Sequence, residues 1–141
     1  MNFTKPLAES STPEELEKLR RAVERLQLVG LANNTKWNEL ITHFRLSAGW
    51  IPKFRFKCVD GPIASWDGEW WYHLPFPFLS VLWFDIQTVH ETALGRLLPP
   101  KIEDHTSDIE ELLSKTGFDY QKGNGLIRIF GYSPKDYRGF E

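Results

Sequence analysis

Residues 33–58 have the sequence NNTKWNELITHFRLSAGWIPKFRFKC, and the spacing of their apolar residues changes partway along. In the first half, apolar side chains recur at i, i+3, i+4 and i+7, as they do on one face of an α-helix. These four residues are Trp37, Leu40, Ile41 and Phe44. In residues 53–58 apolar and cationic side chains alternate, which is typical of a half-buried strand. The change of period predicts a helix and then a strand, each with an apolar face that must pack on another element.

The flanking sequence adds further elements on both sides. Before this stretch, Thr12 and Pro13 predict the start of an amphipathic helix that ends near Gly30. After it, we expect strands over residues 63–66, 69–74 and 81–86, a short helix that opens with a capping box at residues 107–110, and a hairpin over residues 118–132. Residues 87–100 are ambiguous, and the proline pair 99–100 marks a boundary.

The order of these elements predicts an α+β fold. The N-terminal helices are expected to pack on one face of a mainly antiparallel sheet, with a short C-terminal helix and a final hairpin. A length of 141 residues is usual for one domain. We therefore expect a single domain over residues 1–141, in which the polar residues 1–11 are loosely ordered.

Composition narrows the class of protein. Hydrophobic residues make up 41% of the chain and charged residues 26%, with a net charge of −2. This balance is typical of an ordered globular protein, and the weak negative charge argues against nucleic acid as the main partner. Cys58 is the single cysteine, so no internal disulfide can form. We find no secretory signal and no apolar run of membrane-spanning length, so we expect no membrane association and a cytoplasmic location.

The sequence WDGEWWYH at residues 66–73 is the most unusual segment, because five of the six tryptophans fall between residues 50 and 83. If residues 69–74 form a strand, alternate side chains point to opposite faces. One face then carries Trp70, Tyr72 and Leu74. The other carries Glu69, Trp71 and His73, with Asp67 at the preceding turn. Because tryptophan is enriched at interface anchors, we expect this second set to bind a protein partner, although helices and loops that cover both faces are the alternative.

Motifs for catalysis, cofactors and metals are missing from the sequence. The pair His90 and Glu91 begins like a zinc-protease helix, but Leu94 stands where the second histidine is required. No glycine-rich phosphate loop opens a helix, and no nucleophile elbow occurs. Cys58 lies on the apolar side of its strand, so we interpret it as an inert core thiol. We therefore expect no catalytic residue, no metal ion and no cofactor.

Three cations, Lys53, Arg55 and Lys57, alternate with aromatic residues in the predicted strand. Such a row can bind single-stranded nucleic acid through its charges and rings. More often it is the solvated side of an amphipathic strand, and we favour that interpretation.

Several motifs together resemble a family of small bacterial proteins of unknown function. They are NNTKW at residues 33–37, WDGEWWYH at 66–73, a W-x-D-I strand at 83–86 and IRIFGY at 127–132. The resemblance covers residues 28–132 and departs from the family pattern at residues 76–78. It implies a shared fold and a bacterial source, and it implies no activity.

The expected function is a non-enzymatic protein-binding module. By analogy with other small bacterial domains, we expect an immunity-type inhibitor whose partner is a cognate toxin. Two alternatives remain open. One is a small enzyme with a dispersed site built from Glu69, His73 and Asp85, or from other dispersed residues. The other is a weak single-stranded nucleic-acid binder that uses the row of Lys53, Arg55 and Lys57. The sequence does not indicate an oligomeric state.

Overall fold

The computed structural model describes residues 7–140, which contain three α-helices and eight strands. The helices there are α1 (Pro13–Arg25), α2 (Asn34–Arg45) and α3 (Thr106–Thr116). The strands there are β1 (Val29–Gly30), β2 (Phe54–Cys58), β3 (Val81–Gln87), β4 (Val89–Thr92), β5 (Lys101–Asp104), β6 (Tyr120–Lys122), β7 (Leu126–Phe130) and β8 (Tyr132–Ser133). Short 3-10 helices occupy Leu7–Glu9 and Phe78–Ser80.

The central sheet is antiparallel and has the strand order β2-β3-β7-β6. On one face of this sheet Phe84 of β3 lies opposite Phe56 of β2 and Ile129 of β7. β6 and β7 form the predicted final hairpin. The α+β class with a mainly antiparallel sheet is therefore confirmed.

Two predicted strands, over residues 63–66 and 69–74, do not form. The first segment runs beside β2 with only two isolated pairings, Lys57 with Ile63 and Phe54 with Asp67. The two pairings are out of register by one residue, because the register of Phe54 with Asp67 would place Lys57 opposite Ala64, so no continuous ladder joins them. The second segment is a turn, which is described below.

Side chains of N-terminal capping residues mark where α1 and α2 begin. Oγ1 of Thr12 accepts the amide of Glu15 at 3.2 Å, and Oδ1 of Asn33 accepts the amide of Lys36 at 2.9 Å. The predicted capping box at residues 107–110 is wrong, because these residues already lie inside α3. The helix instead begins at Thr106, whose amide donates to Oδ1 of Asp104 at 2.9 Å.

The first face of the sheet carries the larger apolar core. Phe54, Phe84 and Ile129 from the sheet pack here against α2 and α3. The helices contribute Trp37, Leu40, Ile41, Phe44, Ile109 and Leu113, all of them buried. This packing gives α2 its fixed position, because its whole apolar stripe is covered.

The second face carries a smaller apolar cluster and a buried ionic network. α1 packs Leu19 and Ala22 against Trp83 and Phe130 on this face. The two N-terminal helices therefore lie on opposite faces of the sheet, which differs from the expected packing on one face. An apolar stripe predicts that a helix packs, but it does not say on which face.

Asp85 is the centre of the ionic network. Its carboxylate accepts two hydrogen bonds from Arg128, at 2.7 and 2.9 Å, and one from Nε of Arg55 at 2.9 Å. Backbone carbonyls of the C-terminal segment accept from the same guanidinium groups, among them that of Gly139 from Arg55 at 2.7 Å. Trp83 lies under Arg128, with its ring centroid 3.4 Å from Cζ.

The row of Lys53, Arg55 and Lys57 is not a solvated strand side, contrary to expectation. Lys57 is buried and donates to the carbonyls of Cys58 and Gly61, at 3.1 and 2.7 Å. Residues 136–140 return across this face and cover Arg55 and Arg128. The row therefore offers no continuous track for a nucleic-acid strand.

Of the ambiguous residues 87–100, Gln87 ends β3, and residues 89–100 belong to an extended arm, which we define as residues 89–104. β4 and β5 pair with each other in this arm and not with the central sheet. Leu94, Leu97 and Leu98 are exposed near its tip, and Leu97 is 98% exposed.

The N-terminal segment is described only in part. Residues 1–6 of the segment that we expected to be loosely ordered lie outside the described residues. Leu7–Glu9 forms a 3-10 helix, and Ala8 is fully buried with its amide 2.7 Å from Oδ1 of Asn38. Within residues 7–140, none of the helices has the length and apolar character needed to cross a membrane.

Replacing Trp37 with alanine should lower the free energy of unfolding by about 3–5 kcal/mol, because the truncation leaves a cavity in the core. The indole lies 5.0 Å, between ring centroids, from both Phe78 and Phe118. Denaturant unfolding followed by circular dichroism measures the change. Glu39→Ala, at an exposed position of the same helix, is the control and should change stability by less than about 0.5 kcal/mol. An unchanged midpoint for Trp37→Ala would mean that α2 packs through another face.

Candidate protein-binding site

Residues 67–74 form a compact turn, which we call the aromatic turn. Trp70 and Leu74 are buried, whereas Trp71 is 43% and Tyr72 is 87% exposed. The prediction that Tyr72 shares a buried face with Trp70 is therefore wrong. Buried side chains recur after four residues because the backbone turns at 70–72, whereas a strand would bury every second residue.

Trp70 anchors the aromatic turn in the core. Its ring lies 4.8 Å from Phe44, 5.1 Å from Phe54 and 5.8 Å from Phe84, measured between centroids. Its indole Nε1 donates a hydrogen bond to the carbonyl of Pro52 at 2.9 Å. Because both the ring and its single polar atom are satisfied, Trp70 fixes where the aromatic turn leaves the core.

Asp67 and Glu69 bond to the backbone of their own segment. Oδ1 of Asp67 accepts the amide of Glu69 at 2.8 Å. Oε1 of Glu69 accepts the amides of Trp71 and Tyr72, at 2.6 and 3.3 Å. These bonds satisfy amides that lack a strand or helix partner, so both carboxylates hold the shape of the turn.

His73 closes the aromatic turn from its other end. Its Nδ1 lies 2.7 Å from Oδ2 of Asp67, and its side chain is exposed. The backbone amide of Glu69 is the main cause that lowers the pKa of Asp67, and His73 lowers it further. The structure thus brings together all four residues that the sequence singled out, namely Asp67, Glu69, Trp71 and His73.

Arg45 is a further residue of the site, and sequence analysis missed it. Its Nε donates to the carbonyl of Trp70 at 2.8 Å, and Nη2 donates to that of Trp71 at 3.2 Å. Its Cζ lies 6.0 Å from the ring centroid of Trp71. Burial lowers the pKa of this guanidinium, which the Glu69 carboxylate partly offsets. Arg45 stands in the last turn of α2, and nothing in the sequence links it to a segment 25 residues away.

The dispersed enzyme site of Glu69, His73 and Asp85 is not assembled. Asp85 is fully buried and bonds to Arg55 and Arg128, whereas Glu69 and His73 bond within the aromatic turn. Among residues 7–140 there is also no cluster of three or more histidine, cysteine or acidic side chains suited to a metal ion. Burial raises the pKa of the Cys58 thiol, which disfavours a reactive thiolate.

The Asp67 carboxyl should titrate below the ordinary value of about 3.9 when followed by NMR. Because its pKa is lowered in the folded state, its hydrogen bonds contribute stability above the ordinary carboxyl pKa, and this contribution is lost as the pH falls through the lowered pKa. His73→Ala should raise the Asp67 pKa only part of the way, because the Glu69 amide remains. A wild-type midpoint at or above about 3.9 would show that this amide is not bound.

Comparison with known proteins gives one match. Residues 19–136 match a family described as "Family of unknown function (DUF6678)". No curated protein and no solved structure shows significant similarity to the chain. The matched residues include α2, the aromatic turn and the whole central sheet. They also contain residues 28–132, over which the motifs indicated a family resemblance. Since the match extends over most of the chain, the protein belongs to the DUF6678 family, a family of unknown function.

Proposed function

We propose that the protein is a non-enzymatic protein-binding module and that the aromatic turn contacts its partner. One observation carries the proposal. Trp71 and Tyr72 are exposed side by side on a backbone that hydrogen bonds fix from both sides. Large exposed aromatic residues are costly in water and are enriched among the residues that dominate binding energy at interfaces.

The rigidity of the aromatic turn supports this role. Association loses free energy when loops and side chains must be ordered, so a preformed loop binds more tightly than a flexible one of the same composition. Here Glu69 holds the backbone amides and Arg45 holds the carbonyls of Trp70 and Trp71. The aromatic side chains should therefore lose little conformational entropy when a partner binds.

The four predicted residues divide into two roles under this proposal. Asp67 and Glu69 direct oxygens at the backbone of the aromatic turn, so they position it. Trp71 and His73 face solvent and are placed to contact the partner, and Tyr72 joins them. This division narrows the expectation that all four residues contact the partner.

The exposed leucines of the arm give further support. Leu94, Leu97 and Leu98 are all exposed within five residues near the tip of the arm, and large exposed apolar patches commonly mark association sites. A small domain with rigid, exposed apolar side chains can inhibit another protein by binding to it, without catalysing a reaction. We therefore infer that the protein acts as an immunity-type inhibitor of a toxin.

Co-expression with the neighbouring genes tests this function. Each adjacent open reading frame is expressed in a test host with and without this protein, and growth is recorded. We expect one of these products to be toxic and the wild-type protein to restore growth. Trp71→Ala and Tyr72→Ala should each weaken binding of the purified pair by about 2 kcal/mol, or roughly thirtyfold, while circular dichroism stays unchanged.

Val29→Ala is the matched control, because Val29 is an exposed apolar residue on β1. It should bind the toxin as well as the wild type does. Unchanged affinity of both aromatic variants for the toxin would exclude the aromatic turn as the binding surface. Failure of the wild-type protein to counter any neighbouring product would contradict the inhibitor role.

A further inference from the structure

A polar groove of about 800 Å³ opens on the second face of the sheet, beside the ionic network. We define it by Lys53, Arg55, Trp66, Gln87, His90 and Asn124, which line it. Its volume falls within the roughly 300–1,000 Å³ typical of sites for small ligands. β4 of the arm forms one wall, so the groove lies between the arm and the central sheet.

The cations of the groove outnumber its acids. Lys53 and Arg55 contribute two positive charges, and within residues 7–140 Glu91 is the one carboxylate that lines the groove. Beneath the groove, Arg55 and Arg128 share the single carboxylate of Asp85. This local excess of positive charge contrasts with the net charge of −2 for the whole chain and favours an anionic ligand.

Arg55 is held in position to bind an oxyanion. Its Nε is bonded to Asp85 and its Nη2 to the carbonyl of Gly139. Within residues 7–140 its remaining nitrogen, Nη1, makes no hydrogen bond. A guanidinium fixed in this way loses little side-chain freedom when it binds a phosphate.

Trp66 and two amide side chains supply the rest of the lining. The indole of Trp66 is 39% exposed, and Cζ of Arg55 lies 4.8 Å from its ring centroid. An exposed indole stacks well on a planar heterocycle. Gln87 and Asn124 each offer a donor and an acceptor, which is what the edge of such a ring requires.

We propose that the polar groove binds a mononucleotide. Lys53 and Arg55 contact its phosphate, Trp66 packs on its base, and Gln87 and Asn124 bond to the base edge. The site takes one nucleotide and not a strand, because the next cation of the row, Lys57, is buried and already bonded to carbonyls. This binding is independent of the protein-binding role of the aromatic turn.

Isothermal titration calorimetry of the full chain at low salt tests the proposal with AMP, adenosine and inorganic phosphate. We expect AMP to bind more tightly than either of its parts. Lys53→Gln should weaken AMP binding about tenfold, the usual effect of losing one charge-assisted contact. Trp66→Leu should weaken the binding of AMP but not that of phosphate. Lys115→Gln, at an exposed position on α3, is the control and should leave AMP affinity unchanged.

Each of several results would overturn the proposal. No binding of AMP at about 1 mM, the weak end of ordinary ligand affinity, would exclude the site. Equal affinities for phosphate and AMP would show that Trp66 does not pack on the base. Equal effects of Lys53→Gln and Lys115→Gln would place any binding elsewhere. A short oligonucleotide that binds far more tightly than AMP would replace the mononucleotide with a nucleic-acid strand.

Discussion

The burial of Trp70 is the constraint on which the rest of the structure depends. Its ring joins α2 to the sheet through Phe44, Phe54 and Phe84, and its Nε1 is bonded to the carbonyl of Pro52. A buried indole of this size contributes strongly to stability, so its position is not free to change. Once Trp70 points inward, the turn that follows must direct Trp71 and Tyr72 outward. The same side chain therefore completes the core and creates the exposed surface that we propose as the binding site.

The two faces of the sheet differ in what they carry and in what covers them. The first face is apolar and is closed by α2 and α3. The second combines the apolar packing of α1 with the network of Arg55, Asp85 and Arg128, which the C-terminal residues cover. Buried charges of this kind are tolerated because each is paired or bonded to carbonyls. The open end of this face is the polar groove, which Lys53 and Arg55 line.

Sequence periodicity was sufficient for the elements whose apolar pattern repeats. The spacing from Trp37 to Phe44 located α2, and the alternation in residues 53–58 located β2. It failed for the aromatic turn, because a run of aromatic residues is compatible with both a strand and a turn. Which of these residues is buried depends on packing against the rest of the core. It also failed for Arg55, because its partner Gly139 lies 84 residues further along the chain. It failed for Lys57 because this side chain bonds to the carbonyls of Cys58 and Gly61, at the end of β2 and in the turn after it. The four residues that we propose for the site were singled out by the unusual composition of their segment, whereas nothing in the sequence singles out Arg45.

Hydrogen exchange of the tryptophan indole groups tests the central claim most directly. The six indole N–H signals are resolved by two-dimensional NMR, and Trp70→Phe and Trp71→Phe identify two of them. The Trp70 N–H, buried and bonded to Pro52, should exchange as slowly as global unfolding allows, whereas the exposed Trp71 N–H should exchange rapidly. Slow exchange at Trp71 together with fast exchange at Trp70 would contradict the account, because the residue that anchors the core would then be Trp71.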